Sequence, residues 1–281
     1  MTPRGALRPG RELAPGYEVI EHLARSNVLD VYDAWSYERD ARVAVKTLRP
    51  DRQRDRRAVA ALLREGRILK RLTHPHVVRA YEVLREPRPA VVLETLTGET
   101  LAHMVNRRRR RLSAAELGLL GVHVCSALGY LHGQRLLHLD LKPSNIVADQ
   151  GRAKLIDMSV ARAPGRAPAH VGTWCYMAPE QARGGRLTEA ADVWGAGGVL
   201  FEAATGDCTF DDGSDEHEYP QLVRAAAPVR SLRRGLLAGL AEAIDACLEP
   251  DPAARPTLTQ LAAACEDAAG LPAAERRVGR G

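Results

Sequence analysis

His138-Leu-Asp140-Leu-Lys142-Pro-Ser-Asn145 gathers a carboxylate, an ammonium and an amide into one short stretch. Asp157-Met-Ser159 and Ala178-Pro-Glu180 follow it, and Val43-Ala-Val-Lys46 and Glu65 precede it. These groups suit the handling of anions and hard cations. Carboxylate and amide oxygens are the ligands that Mg2+ prefers. An aspartate can accept the proton of a hydroxyl group. Lysines neutralise phosphate oxygens, and phosphoryl transfer depends on neutralisation and in-line positioning more than on covalent catalysis. Each residue alone is ordinary, since a lone Lys, Asp or Asn usually decorates a surface. Their order and spacing carry the information.

Groups so far apart in sequence need a folded frame. A chain of 281 residues can bury roughly three quarters of its unfolded surface, so no staple is required. Hydrophobic residues make up 45% and charged residues 27%, the balance of a globular protein. Aromatics are only 4%, so the core must rest on Leu, Val, Ile and Ala. The net charge of +5 is modest and is read as solubility with an arginine bias, not as a nucleic-acid or membrane signal. Cys125, Cys175, Cys208, Cys247 and Cys265 form no C-x-x-C pair, which points to neither a zinc site nor a disulfide framework. A reduced, cytoplasmic compartment is expected. No signal peptide and no membrane span are expected, because no apolar run reaches about 20 residues.

Residues 1–16, rich in Pro, Gly and Arg, read as a flexible tail. Short β-type segments then follow at Tyr17–Leu23, Val31–Trp35 and Arg42–Thr47. Arg57–Leu72 is predicted helical from Val59, Leu62, Leu63, Leu69 and Leu72, with Glu65 and Leu69 on one side. Two more strands are expected near Val77–Leu84 and Ala90–Glu94. Beyond Gly98 the pattern turns helical. Ser113-Ala-Ala-Glu116 reads as a capping box opening a helix to about His132. Thr188-Glu189 opens another, and further helices are expected from Leu222 to about Ala269. The five arginines Arg107–Arg111 are read as a solvated loop.

Taken in order, the strings resemble the catalytic loop, metal-binding segment and activation-segment end of protein kinases, most of all bacterial Ser/Thr kinases of eukaryotic (Hanks) type. Asp192-Val-Trp-Gly195 and Arg255-Pro256 match two structural landmarks of that family. The likeness covers about Tyr17 to Ala269. It implies an α+β, two-lobed fold: a small antiparallel β lobe with one helix (17–96), a larger, mainly helical lobe (97–269), and a C-terminal tail (270–281). It implies ATP and Mg2+ as cofactors, with a protein carrying Ser or Thr as substrate. By the same resemblance Lys46 holds the α- and β-phosphates, Glu65 aims Lys46, and Asn145 and Asp157 hold the metal. Asp140 is the base, Lys142 neutralises the transferring group, and Thr173 bonds both. The nucleotide would be lined by Leu23, Ser26, Val31, Ala44 and Val147, with Leu93 as gatekeeper. Glu94 and Leu96 would meet adenine through their backbones, and Glu99 the ribose. His138 and Met158 read as packing residues of an internal spine.

The sequence also departs from the family. Its glycine-rich phosphate loop is replaced by Ala24-Arg-Ser-Asn-Val-Leu-Asp-Val31, without glycine. Ser26 and Arg25 are candidates to compensate with a hydroxyl or a charge. Leu139 stands where most relatives have arginine, the usual partner of an activation-segment phosphate. Between Asp157 and Thr173 the only hydroxyl residue is Ser159, itself in place of a glycine. Order in that segment must then come from packing or a partner, and Trp174 is expected to bury apolar area there. Asp211, Asp212, Asp215, Glu216, Glu218 and Glu202 suggest a substrate with basic flanking residues. A pseudokinase scaffold and a small-molecule phosphotransferase remain alternatives, while a nucleic-acid-binding module is remote.

Overall fold

A computed structural model of the chain describes residues 5–107, 111–210 and 218–271. The chain divides into two compact units. One runs to Thr97 and takes in Asp157–Ser159; the other holds Gly98–Ile156 and the chain from Val160 onward. Together their elements make an α+β protein.

The first unit is built on a six-stranded antiparallel sheet of order β1-β2-β3-β4-β6-β5, with β1 Glu12–Ala14, β2 Tyr17–Arg25, β3 Leu29–Ser36, β4 Ala41–Leu48, β5 Ala80–Leu84 and β6 Ala90–Glu94. Alternation along β4 puts Val43 and Val45 into a core with Tyr17, Val19, Tyr32 and Val92, while Ala44 and Lys46 take the other face. Register places Val31 and Val91 opposite Lys46, and Leu93 opposite Ala44. Helix α1, Arg56–Leu69, starts at Asp55, whose carboxylate accepts from the N–H groups of Arg57 and Ala58. It buries Leu62, Glu65, Gly66 and Leu69. Gly66 sets its distance from the sheet: a Cβ there would lie 2.7 Å from Val91 Cγ2 and 2.8 Å from Val83 Cγ2.

The expected N-terminal tail needs correction. Glu12–Ala14 pairs with β2, and Leu13 and Ala14 are buried in the core cluster. Three residues are too few for a periodic signal, which is why composition misled. The helix ends at Leu69 rather than Leu72, and the strand expected from Val77 begins at Ala80.

The second unit opens with β7, Glu99–Thr100, which joins β8, Ile146–Asp149, and β9, Arg152–Leu155, in a small sheet. Helix α2, Ala114–Gly133, begins with the Ser113–Glu116 capping box. It is the one described helix long and apolar enough to cross a membrane, and half of its apolar stretch is buried in the fold. Strand β10, Gly165–Ala167, pairs with β11, Gly185–Leu187, on either side of α3, Pro179–Arg183. Helix α4, Glu189–Thr205, is buried nearly all round. Helices α5, Val229–Leu232, α6, Ala238–Cys247, and α7, Leu258–Ala269, complete the unit. None of the five cysteines is in a disulfide. Most of the arginine run, most of the acidic stretch and residues 272–281 lie outside the described residues.

Candidate active site

In the first unit, Lys46 Nζ donates to Glu65 Oε1 at 2.7 Å and to Asp157 Oδ2 at 2.8 Å. Both Lys46 and Glu65 are buried. The strand period turns Lys46 toward α1, and the close approach at Gly66 brings Glu65 within reach. Burial alone would lower the lysine's pKa, but the two carboxylates reverse that and hold it above its usual value. Burial would raise Asp157, and Lys46 with Ser159 outweighs it, leaving its pKa at about 2. Burial pushes the Glu65 carboxyl up against the pull of Lys46. Ser159 N–H caps Asp157 Oδ1 at 2.8 Å, and Met158 N–H donates to Glu65 Oε1 at 3.3 Å. These contacts tie Asp157–Ser159 to a unit otherwise made from the first 97 residues.

The same unit carries Leu23, half exposed on β2; Val31 and Ala44, half-buried on the face of Lys46; and the buried Leu93. Glu94 ends β6, and its Oε1 accepts from Arg79 N–H at 2.9 Å; Leu96 is half-buried just beyond. The loop between β2 and β3 is held by side chains. Ser26 Oγ accepts from the N–H groups of Val28 at 3.2 Å and Leu29 at 2.9 Å. Arg25 grips Asp30 through Nε at 2.6 Å and Nη2 at 2.9 Å, and His22 Nε2 lies 2.9 Å from the same carboxylate. Asp30 is fully buried. Both residues expected to compensate for the missing glycines are thus engaged within the hairpin itself. The Ser26 hydroxyl closes the hairpin turn, and the Arg25 charge is neutralised by Asp30.

In the second unit, Thr173 Oγ1 donates to Asp140 Oδ1 at 2.6 Å and accepts from Lys142 Nζ at 2.7 Å. Lys142 Nζ also lies 2.8 Å from Asp140 Oδ2. A 3-10 turn, Pro143–Asn145, folds Asn145 back so that Nδ2 donates to the Asp140 carbonyl at 2.9 Å and to Oδ2 at 3.2 Å. Among the described residues nothing donates to the Asn145 amide oxygen. Asp192 on α4 fixes the loop behind: its carboxylate accepts from the N–H groups of His138 at 2.9 Å and Leu139 at 2.7 Å. Leu139 is thereby held at φ +63°, a region leucine rarely occupies. Val147 is buried on β8 opposite Thr100, and Glu99 opens β7 with Oε2 3.9 Å from His103. Arg255 clamps Glu180 at 2.7 and 2.9 Å.

Two expectations for the substrate segment need correction. Trp174 is 43% exposed, so its ring buries less area than expected and does not order the segment alone. Glu202 is buried, with Oε2 accepting from Tyr176 Oη at 2.5 Å and Oε1 from Asn106 Nδ2 at 3.2 Å. Both of its oxygens already have partners, and its burial keeps it from the surface that a substrate arginine would reach. Sequence reading missed Asp30, Gly66, Gln181 and Gln221. The first two show only as departures from a loop or helix pattern, and the glutamines give no local signal.

Comparison with known proteins accounts for this arrangement. The chain is 34% identical over 258 residues to the serine/threonine-protein kinase PknK of Mycobacterium tuberculosis, covering 88% of this chain and 23% of that protein. It is 35% identical over 230 residues to the serine/threonine-protein kinase PkaA of Streptomyces coelicolor, covering 78% of this chain and 42% of that one. With PrkC of Bacillus subtilis it shares 30% over 212 residues, 73% of this chain and 33% of that protein. The chain thus spans less than half the length of each of these three relatives. The family model described as protein kinase domain matches residues 17–264, nearly the whole described fold, and this chain belongs to that family.

Proposed function

We propose that this chain transfers the γ-phosphoryl group of ATP to serine or threonine hydroxyls of other proteins. The observation that carries the reading is the Thr173 hydroxyl shared between Asp140 and Lys142. That contact links the segment carrying Thr173 to a carboxylate able to accept a hydroxyl proton. Each unit offers an oxygen of the kind magnesium nucleotide needs: Asp157, held as a carboxylate, in the first, and Asn145, with an unbonded amide oxygen, in the second. Bound Mg2+–ATP would supply the phosphoryl group and neutralise its charge. For the protein's own part, Lys46, kept charged and aimed by Glu65, binds phosphate oxygens; Asp140 receives the acceptor's proton; Lys142 offsets the charge that develops beside it.

The stapled, glycine-less loop favours a second reading, a pseudokinase that binds nucleotide weakly and turns over slowly. Transfer from radiolabelled ATP to a generic basic protein separates the two, with Asp140→Asn as control. Transfer that Asp140→Asn abolishes supports the enzyme. No transfer at saturating Mg2+–ATP supports the scaffold. A preference for basic flanking residues rests on the acidic stretch alone, because Glu202 is already occupied. A cytoplasmic setting is in keeping with five cysteines outside any disulfide.

A further inference from the structure

The segment that bears Thr173 is held by side-chain amides. Leu139 occupies the position that pairs with an activation phosphate in relatives, and it has neither charge nor side-chain donor. Two buried glutamines stand in its place. Gln181, 1% exposed on α3, donates from Nε2 to the carbonyls of Val171 at 2.7 Å and Leu139 at 2.8 Å, while its Oε1 accepts from Ala178 N–H at 3.0 Å. Gln221, 2% exposed in the 3-10 turn Pro220–Leu222, donates from Nε2 to the carbonyls of Trp174 at 2.9 Å and Met177 at 3.1 Å. Carbonyls accept only, so each amide must present its NH2 group to both.

The two anchored positions, Val171 and Trp174, flank Gly172 and Thr173. Gly172 shows how tight the joint is. It sits at φ +118°, and a Cβ on it would lie 2.6 Å from the Leu139 carbonyl oxygen and 3.1 Å from Gln181 Nε2. One glutamine thus ties the backbone just before Asp140 to the backbone just before Thr173. The other fixes the chain just after it. Thr173 meets Asp140 at 2.6 Å because its backbone is pinned on both sides.

We propose that Gln181 and Gln221 are positioning residues that assemble the substrate side of the site permanently, in place of a regulatory phosphate. The inference rests on the kinase reading above and concerns how Thr173 and Asp140 are kept together. Neither glutamine touches the Lys46–Glu65–Asp157 cluster. Their loss therefore impairs use of the protein substrate and spares nucleotide binding.

The test uses the full chain and the variants Gln181→Met, Gln221→Met and Gln181→Glu. In the methionine variants, kcat/KM for a peptide substrate falls tenfold or more, while the dissociation constant for a fluorescent ATP analogue with Mg2+ changes less than twofold. Hydrogen exchange at the Tyr176 and Met177 amides, which bond the Thr173 carbonyl, speeds up in the same variants. That readout needs no turnover, so it stands even if wild type proves to be a scaffold. Gln181→Glu supplies a signature that general destabilisation lacks. Its carboxylate faces two carbonyls when charged and can donate to one when protonated, so its activity relative to wild type rises as pH is lowered from 8 to 6. Phosphatase treatment of wild type changes specific activity less than twofold. Methionine variants with wild-type peptide kinetics and unchanged exchange would overturn the proposal. So would a tenfold loss on dephosphorylation that autophosphorylation restores.

Discussion

Gly66→Ala tests whether the distance between α1 and the sheet governs the Lys46–Glu65 contact. Two effects on stability oppose each other. Alanine in a helix interior gains about 1 kcal/mol over glycine. The added methyl would sit 2.7 Å from Val91 Cγ2 and 2.8 Å from Val83 Cγ2, against a carbon–carbon optimum of about 3.5–4.0 Å. Valine side chains are stiff at χ1 and cannot swing aside cheaply. Overpacking of this kind costs about 1–3 kcal/mol, so the net loss is roughly 0–2 kcal/mol. The kinetic effect is larger. To clear the methyl, α1 must retreat by about 1 Å by the same contact distances, and the 2.7 Å bond from Lys46 to Glu65 on that helix opens. A displacement of that size in a positioning group can cost about 100-fold in rate. Urea unfolding gives the stability change, and steady-state kinetics at varied ATP gives the rest: a small fall in unfolding free energy with a large fall in kcat/KM for ATP. Val91→Ala removes the nearer clash, so in that background Gly66→Ala costs less than it does alone. A Gly66→Ala protein that is more stable than wild type and fully active would refute the reasoning.

Asp30→Ala leaves the buried end of Arg25 and His22 without their shared acceptor, which costs about 1–3 kcal/mol in urea unfolding. An unchanged midpoint would mean that the staple contributes nothing to the hairpin. The Asp157 pKa, depressed from 3.8 to about 2, corresponds to stability on the order of 2 kcal/mol that is present above pH 4 and lost as pH falls toward 2. In nucleotide-free protein, Asp157→Asn therefore flattens the acid limb of the stability–pH curve; an equally steep limb would rule out that carboxylate as its source. Trp174 is 43% exposed next to Thr173, so Trp174→Ala raises the peptide KM about threefold to tenfold, the value of one apolar contact, with little change in the melting temperature. An unchanged KM across peptides with apolar and polar neighbours would take Trp174 out of substrate contact.

What could be read from the sequence and what could not divide along a physical line. Asp140, Lys142 and Asn145 were legible because a single 3-10 turn converges them, so their spacing in sequence nearly fixes their spacing in space. Glu65 was legible because the 3.6-residue period puts it on the buried face of α1, although its partner on β4 had to be supplied by family resemblance. Asp30 was not legible. Its role depends on the β2–β3 register, which sets Arg25 directly opposite it, and that register follows from a turn that Ser26 itself closes. Gly66 looks like a flaw in a helix until the valines across from it are known. Gln181 and Gln221 were hidden for a deeper reason. They bond backbone carbonyls, some of them more than 40 residues away, and a carbonyl carries no side-chain identity for a sequence pattern to record. The same blindness misled the reading of Glu202: its charge suggested a seat for substrate arginine, whereas Tyr176 and Asn106 had already taken both oxygens. Departures in the catalytic strings mark where a family device is missing. The replacement in this chain is made from neutral amides bonding to main chain, and such a replacement can be found only once the backbone path is known.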